Sequence, residues 1–202
     1  KPEGTVVMFV HGQSIANNRN QMIKSAIEYN CTHVFFMDDD VITRPDIIFQ
    51  LLRHDKDVVC ALQLSRNHPH RPYLFESKLE NGMFAWKTLH QEDKGLVKIK
   101  AAGFGAVLIK TDVFKKLEEP YLRYGQIIKD QLGEDLDFFG RIEELGYEAY
   151  CDFDCTVGHI ATVAIWPSKV KGTWYVTYDS NGPTTVNFIH TEQKMEELTN
   201  VS

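Results

Sequence analysis

The chain has 202 residues, the size of one ordinary domain with a substantial core. Its hydrophobic content of 43% and charged content of 25% are those of a soluble globular protein, and no apolar run approaches the length of a membrane span. The net charge of −6 argues against general nucleic-acid binding, which needs a basic face. The cysteines lack zinc-ligand spacing and predict free thiols in a reducing compartment. They are Cys31, Cys60, Cys151 and Cys155.

The first third of the chain alternates predicted strands and helices. Thr5–Val10 predicts a buried strand, and Ser14 is suited to cap the helix that follows. The apolar run His33–Met37 predicts a second strand, Pro45 opens another helix, and Asp57–Leu62 predicts a third strand. This alternation indicates an α/β fold with a mixed, mostly parallel sheet flanked by helices.

The second half is less regular. Ala101–Ile109 reads as one strand, in which Gly103 and Gly105 mark places where something approaches the backbone closely. Gly133–Gly146 opens with acids and closes with glycine, which predicts a helix. Further strands are predicted near Tyr147–Tyr150, Thr156–His159, Trp174–Tyr178 and Thr184–Ile189, the last two as a hairpin around Asn181-Gly182. The last dozen residues carry helix formers.

Three consecutive acids, Asp38-Asp39-Asp40, come directly after the strand His33–Met37. Open α/β sheets place their ligand crevice at the carboxyl ends of strands. Carboxylate oxygens suit Mg²⁺ or Mn²⁺, and such ions usually bridge to substrate phosphates. A strand-end turn capped by Asp is the structural alternative. Three acids in a row favour the metal site.

Two further groups contribute to this prediction. Glu134-Asp135, with Asp137, stands at a predicted helix start, where the helix dipole alone would favour acids. His159 ends a predicted strand, and a neutral imidazole can join carboxylates on a divalent ion. A lone histidine after a strand is more often structural. The position of His159 in the chain, after the two acidic groups, favours a role as a metal ligand.

In their order and spacing, these segments resemble the GT-A glycosyltransferases of the large family 2 type, and closely a branch common in phages and other large viruses. The resemblance covers residues from about 5 to 160. The matching segments are Gly12–Asn20, Val34–Asp40, Ala101–Ile109, Gly133–Phe138 and Val157–His159.

The resemblance implies a role for each matching residue. Asp38 and Asp40 would be the DxD pair that holds Mn²⁺ or Mg²⁺, and His159 would complete the metal site. Asp135, or as second choice Glu134, would be the base that takes the acceptor proton. The residues implied in donor binding are Arg19 near the diphosphate or nucleotide, Asn20, Asp38, Asp39 near the ribose or sugar, and Gly103 beside a sugar.

The implied activity is transfer of a sugar from a UDP- or GDP-linked donor to a hydroxyl of a glycan or glycoprotein. A divalent ion would neutralise the leaving diphosphate, and a carboxylate base within reach of the hydroxyl suits an inverting reaction. Residues 1–165 would form the GT-A catalytic domain, and residues 166–202 a C-terminal extension of hairpin and helix packed on the same domain. The expected location is the cytoplasm, that of the host for a viral protein, with no nucleic-acid partner.

One departure from the family concerns the amino terminus. Family members normally begin with a strand and helix that bind the nucleotide base, whereas this sequence starts at Lys1, just before what looks like a later strand. We expect the usual first strand to be missing here or supplied elsewhere.

Two other functions stay open. The first is a nucleotidyltransferase acting on sugar phosphates, although the glycine-rich, lysine-containing loop that would favour it is not seen. The second is a non-catalytic, carbohydrate-binding derivative of the fold, against which the intact acids and His159 argue.

Overall fold

The structure is a computed structural model that describes residues 2–66, 70–127, 130–161, 163–170, 173–180 and 188–189. The chain divides into two compact units. The first contains Lys1–Leu64 and Arg71–His159, and the second contains Ser65–His70 and Ile160–Ser202.

The helices and strands alternate in the first part of the chain, as predicted. The helices are α1 (Ile15–Glu28), α2 (Ile47–Leu52), α3 (Thr111–Phe114) and α4 (Glu134–Glu144). The strands of the first unit are β1 (His33–Met37), β2 (Val41–Ile42), β3 (Val58–Leu62), β4 (Leu74–Lys78), β5 (Phe84–Trp86), β6 (Leu96–Ile99), β7 (Ala101–Ala102), β8 (Ala106–Lys110), β9 (Gly125–Ile127), β10 (Asp130–Leu132), β11 (Ala149–Thr156) and β12 (Gly158–His159). Those of the second unit are β13 (Val163–Val170), β14 (Thr173–Ser180) and β15 (Phe188–Ile189).

Within the described residues, the first unit is built on a five-stranded sheet in the order β1-β8-β3-β11-β6. β8 is antiparallel to both β1 and β3, β11 is parallel to β3, and β6 is antiparallel to β11. β1, β3 and β11 therefore point the same way, so their carboxyl ends meet at one edge of the sheet. The predicted mixed, mostly parallel α/β sheet is confirmed.

Side chains alternate between the two faces of this sheet, since neighbouring residues of a strand point in opposite directions. On one face, Phe36 and Val107 pack with Ile23 of α1, Phe114 of α3 and Phe138 of α4. On the other face, a smaller cluster packs against α2. It contains Ile47, Leu51, Val59, Ala61, Ala106, Leu108 and Cys155. Helices thus cover both faces, and both clusters lie within the first unit.

Two sequence-based expectations for strands are wrong. Thr5–Val10 forms no strand, and its Val6, Val7 and Phe9 side chains are largely exposed. No described strand pairs with this segment, and apolar residues form a strand only where they find a ladder partner. Ala101–Ile109 is also not one strand: it breaks into β7, which pairs with β4, and β8 of the central sheet.

In the second unit, β14 pairs antiparallel with both β13 and β15. The predicted late hairpin corresponds to β14 and β15, while its turn residues and the predicted terminal helix lie outside the described residues. The predicted domain limit at residue 165 falls inside β13. None of the helices described is long and apolar enough to cross a membrane.

Candidate active site

Three polar residues, two of them singled out in the sequence, lie at or near the ends of β1, β3 and β11. Asp38 directly follows β1, Gln63 directly follows β3, and His159 lies three residues after the end of β11. The Asp38 N–H donates to the carbonyl of Gly105, 3.2 Å away, which joins the end of β1 to the residue before β8. The strand directions therefore bring together segments that are far apart in the chain.

A two-stranded pairing brings Asp40 to His159. β2 runs antiparallel to β12 with Val41 opposite His159, so the residue before Val41 lies beside the imidazole. The Asp40 Oδ2 atom is 3.2 Å from His159 Nε2. On the other side of the ring, Nδ1 is 3.0 Å from the carbonyl oxygen of Leu64 and 3.2 Å from the side-chain nitrogen Nε2 of Gln63.

This pair brings together two of the three residues predicted to hold a divalent ion. A histidine that ligates a metal usually donates its other ring N–H to a carbonyl, as Nδ1 is placed to do with Leu64. Nε2 then faces the Asp40 carboxylate with its lone pair, which suits a shared cation of the Mn²⁺ type. Among the residues described, however, no three His, Cys, Asp or Glu side chains are grouped closely enough to hold a metal. The role of Asp38 as third ligand stays a prediction.

The Asp38 carboxylate instead contacts Arg19 on α1. The guanidinium lies 2.8 Å from Asp38 Oδ1 through one nitrogen and 2.5 Å from Glu134 Oε1 through another. It also sits 5.1 Å from the centre of the Phe104 ring. Arg19 and Glu134 are both buried. Arg19 therefore links the end of β1 to the start of α4, and donor binding by Arg19 stays a prediction.

Asp135 has a different environment from its neighbour Glu134. Its side chain is buried, and Oδ1 accepts the N–H of Leu136 at 2.8 Å. Burial and, after it, the Glu134 charge raise the pKa of Asp135 to about 6, against the lowering effects of the Leu136 N–H and Arg19. A carboxyl poised near neutral pH suits a general base. Since Glu134 is already paired with Arg19, the geometry favours Asp135 for that role.

Tyr73 adds an aromatic wall beside the two acids. Burial, with the charges of Asp135 and Glu134, raises the pKa of Tyr73 to about 12, so the phenol stays protonated. Its ring packs edge-on against Trp86, with 5.4 Å between centroids. A Cβ at Gly103 would lie 2.1 Å from Tyr73 Cδ1. The close approach predicted at Gly103 is thus made by Tyr73, and donor binding at Gly103 stays a prediction.

Asn20 and Asp39, which were also predicted to bind the sugar donor, lie outside the contacts described so far. Asn20 is buried: its amide donates to the carbonyls of Ala16 and Leu122, and its oxygen accepts the N–H of Leu122. These bonds use both ends of the Asn20 amide to anchor the chain at Leu122. Asp39 is exposed beside its two neighbours. Donor binding by both residues stays a prediction.

Sequence reasoning missed Gln63 altogether. A Cβ at Gly105 would lie 2.0 Å from Gln63 Oε1, so the buried amide of Gln63 rests on the Gly105 backbone. The two glycines at positions 103 and 105 signalled close approaches, but the approaching side chains are 30 or more positions earlier in the chain. Only the folded structure identifies them as Tyr73 and Gln63.

Solved structures similar to this chain have the GT-A fold. A197 from STIV, a viral protein, matches with a TM-score of 0.57 and 17% identity, over 92% of this chain and 85% of A197. GalNAc-T7, in a crystal structure with UDP, GalNAc and Mn²⁺, matches with a TM-score of 0.52 and 13% identity. That match covers 78% of this chain and 31% of GalNAc-T7. These similarities show that the protein has the GT-A glycosyltransferase fold.

A sequence family gives the same class. The family model described as Anp1, a GT-A-like family, matches residues 10–82, which is less than half of the chain. The match includes Arg19, the acids Asp38-Asp39-Asp40, Gln63 and Tyr73, but not Asp135 or His159. No curated protein matches the sequence. The predicted resemblance to GT-A glycosyltransferases is confirmed.

Proposed function

We propose that the protein is a metal-dependent glycosyltransferase that moves a sugar from a nucleoside-diphosphate sugar to a hydroxyl acceptor. One observation carries the proposal: a buried carboxyl with a pKa of about 6, Asp135, stands beside an ion-pair network that leads to the acids at the end of β1. A base and an acidic strand end at one sheet edge are the two parts that this transfer needs.

Asp135 is the proposed base. The acceptor hydroxyl gives its proton to the Asp135 carboxylate while its oxygen forms a bond to the anomeric carbon of the donor. The bond from that carbon to the diphosphate oxygen breaks, and the diphosphate takes the electron pair. Attack from the side opposite the leaving group inverts the configuration. Glu134 assists by raising the pKa of Asp135, which makes the carboxylate a stronger base.

Asp40 and His159, with Asp38, are the proposed ligands of Mn²⁺ or Mg²⁺. The bound ion supplies Lewis-acid neutralisation of the leaving diphosphate. The β2–β12 pairing fixes the separation of Asp40 and His159 before any ligand enters. Arg19 keeps the Asp38 carboxylate oriented and provides positive charge close to the proposed diphosphate position.

Tyr73 and Trp86 are the proposed sugar contacts on the acceptor side. Trp86 is partly exposed, and Tyr73 carries its protonated hydroxyl within electrostatic reach of Asp135. Aromatic faces and edges suit the apolar faces of sugar rings, and a phenol can donate to a sugar hydroxyl.

UDP-sugars are the first proposed donors and GDP-sugars the second, an order supported by the similar structure that holds UDP and GalNAc. The proposed location is the cytoplasm, which the four free cysteines support, since thiols persist in reducing compartments.

The test is turnover of a panel of UDP- and GDP-sugars with Mn²⁺ and with a chelator. We expect release of the nucleoside diphosphate from at least one donor, dependent on Mn²⁺ and lost in Asp40→Ala. Release of pyrophosphate from a nucleoside triphosphate and a sugar phosphate, with formation of the nucleotide sugar, would instead indicate a nucleotidyltransferase. Binding of sugars without any turnover would indicate a non-catalytic derivative.

A further inference from the structure

A second group of charged side chains surrounds Asp137, an acid in the first turn of α4 that has no part in the proposed reaction. Asp137 Oδ2 lies 2.8 Å from Nε of Arg141, four positions further along the helix, and 3.4 Å from Nε of Arg123. Among the residues described, these two guanidinium groups share a single carboxylate at ion-pair distance. The group therefore carries one positive charge in excess.

The segment that presents Arg123, residues 121–125, is fixed to both helices of the candidate site, and we call it the strap. The buried Asn20 of α1 accepts the N–H of Leu122 with its amide oxygen and donates to the Leu122 carbonyl with its amide nitrogen. Arg141 of α4 donates to the carbonyl of Tyr121. These hydrogen bonds hold the backbone on the amino-terminal side of Arg123 in place without any ligand.

The strap leads directly to the start of α4. Its last residue, Gly125, opens β9 and pairs with Leu132 in β10, which ends two positions before α4 begins. A Cβ at Gly125 would lie 2.7 Å from Asp137 Oδ1, and a Cβ at Gly133 would lie 2.6 Å from Asp135 Oδ1. The strap and the proposed base therefore border the same first turn of α4.

Arg123 is oriented by the protein and open to solvent. It approaches Asp137 through Nε and its side chain is 50% exposed, and no partner is found for its two terminal nitrogens within the described part of the chain. The terminal nitrogens of a guanidinium form a fork that matches the two oxygens of a carboxylate or phosphate. Tyr124, the next residue, is 42% exposed and offers an aromatic face, which suits the apolar face of a sugar ring.

We propose that Arg123, with Tyr124 beside it, binds an anionic group of the sugar acceptor, either a carboxylate or a phosphate. The inference rests on the proposed function, in which Asp135 takes the proton of the acceptor hydroxyl. An anionic group on Arg123 neutralises the excess charge around Asp137, and it holds the acceptor beside the first turn that carries the base. The acceptor class is therefore an acidic or phosphorylated sugar in preference to a neutral one.

The experiment measures the binding of three small probes to the full chain by NMR titration: glucuronate, glucose 6-phosphate and neutral glucose. We expect at least one of the two anions to bind at least about tenfold more tightly than glucose. Its affinity should fall by about 10–100-fold in Arg123→Gln, the range for hydrogen bonds to a charged group. Arg123→Lys should show a smaller loss, since it keeps the charge without the fork.

The matched control is Arg53→Gln, which removes an exposed arginine after α2, on the opposite face of the sheet, and should bind all three probes as the wild type does. The anion that binds more tightly identifies the recognised group as a carboxylate or a phosphate. Equal or absent binding of the three probes, or unchanged anion binding in folded Arg123→Gln, would overturn the inference. These affinities need no donor, so a wild type that binds an anion through Arg123 but turns over no nucleotide sugar contradicts the proposed function alone.

Discussion

The two halves of the candidate site differ in how exposed their side chains are to solvent. The ion end, Asp40 and His159, is formed by partly exposed side chains (26% and 19%) that stand 3.2 Å apart. The base end, Arg19, Glu134 and Asp135, is buried, with all three residues about 8% exposed and a guanidinium 2.5 Å from a carboxylate.

The two ends hold their geometry without a ligand in different ways. At the ion end, backbone pairing of β2 with β12 fixes the geometry and leaves the side chains accessible to an exchangeable cation. At the base end, Arg19 is a permanent counter-ion for Glu134, while burial and the Glu134 charge raise the pKa of the neighbouring Asp135. The ion end therefore leaves its side chains accessible to an exchangeable cation, whereas the base end is held by a buried ion pair.

Removing the base should have the largest effect on turnover. Asp135→Asn should lower transfer by roughly 10²- to 10⁴-fold, the usual contribution of a positioned base. In the wild type, kcat/KM should rise with pH through a value of about 6 and level off above it, because the carboxylate is the active form. Steady-state kinetics across pH measure both.

The matched control for that variant is Asp154→Asn, which changes an exposed carboxylate of β11. Its kinetics should equal those of the wild type. Transfer by Asp135→Asn at the wild-type rate would remove Asp135 from the role of base.

Breaking the permanent ion pair should have the largest effect on stability. Arg19→Met leaves the buried Glu134 carboxylate without its partner, which should lower the free energy of unfolding by about 3–5 kcal/mol. Lys24→Met on the same helix removes an exposed pair with Glu119 and should leave stability unchanged. Urea titration of both variants measures this. Equal stability of the two variants would show that the ion pair between Arg19 and Glu134 does not stabilise the base end.

The raised pKa of Asp135 also predicts the sign of a stability change. Above about pH 6 the folded protein holds a charged Asp135 carboxylate that the unfolded chain would bear more easily, so the contribution of Asp135 to stability falls as pH rises from about 4 to 6. Asp135→Asn should therefore be more stable than the wild type by roughly 1–3 kcal/mol at about pH 7.5. The gain should shrink toward pH 4. Urea titrations at both pH values test it, and a variant less stable at neutral pH would contradict the buried-charge account.

A smaller effect is expected at the aromatic wall. Tyr73→Phe keeps the ring against Gly103 and Trp86 and removes only the hydroxyl. We expect the acceptor KM to rise by up to about tenfold, the value of one hydrogen bond, with donor hydrolysis unchanged. Tyr29→Phe, at an exposed position, is the control. A change in donor hydrolysis instead of acceptor KM would place Tyr73 on the donor side.

The sequence was sufficient to predict helices and strands that are marked by local signals. The strand before Asp38, the helix capped by Ser14 and the acidic start of α4 were all predicted, because their apolar periodicity and caps are local signals. Thr5–Val10 carries the same strand signal and is not a strand, because a ladder partner is a property of the fold.

The contacts that assemble the site were not predictable in the same way. β2 and β12 are two residues long and more than 100 positions apart, so no periodicity marks their pairing. The ion pair from Arg19 to Glu134 spans 115 positions. Residue types suggested a metal site and a base, whereas Gln63, the contact of Tyr73 with Gly103 and the partner of Arg19 needed the geometry.

The most direct test is a calorimetric titration with the nucleotide sugar that the wild type uses as a donor. This donor is titrated into Asp40→Ala and into Asp135→Asn with excess Mn²⁺. We predict that Asp135→Asn binds the donor as the wild type does, because the base end contacts the acceptor, and that Asp40→Ala does not bind it. Donor binding by Asp40→Ala at wild-type strength, or its loss in Asp135→Asn, would contradict the division into an ion end and a base end.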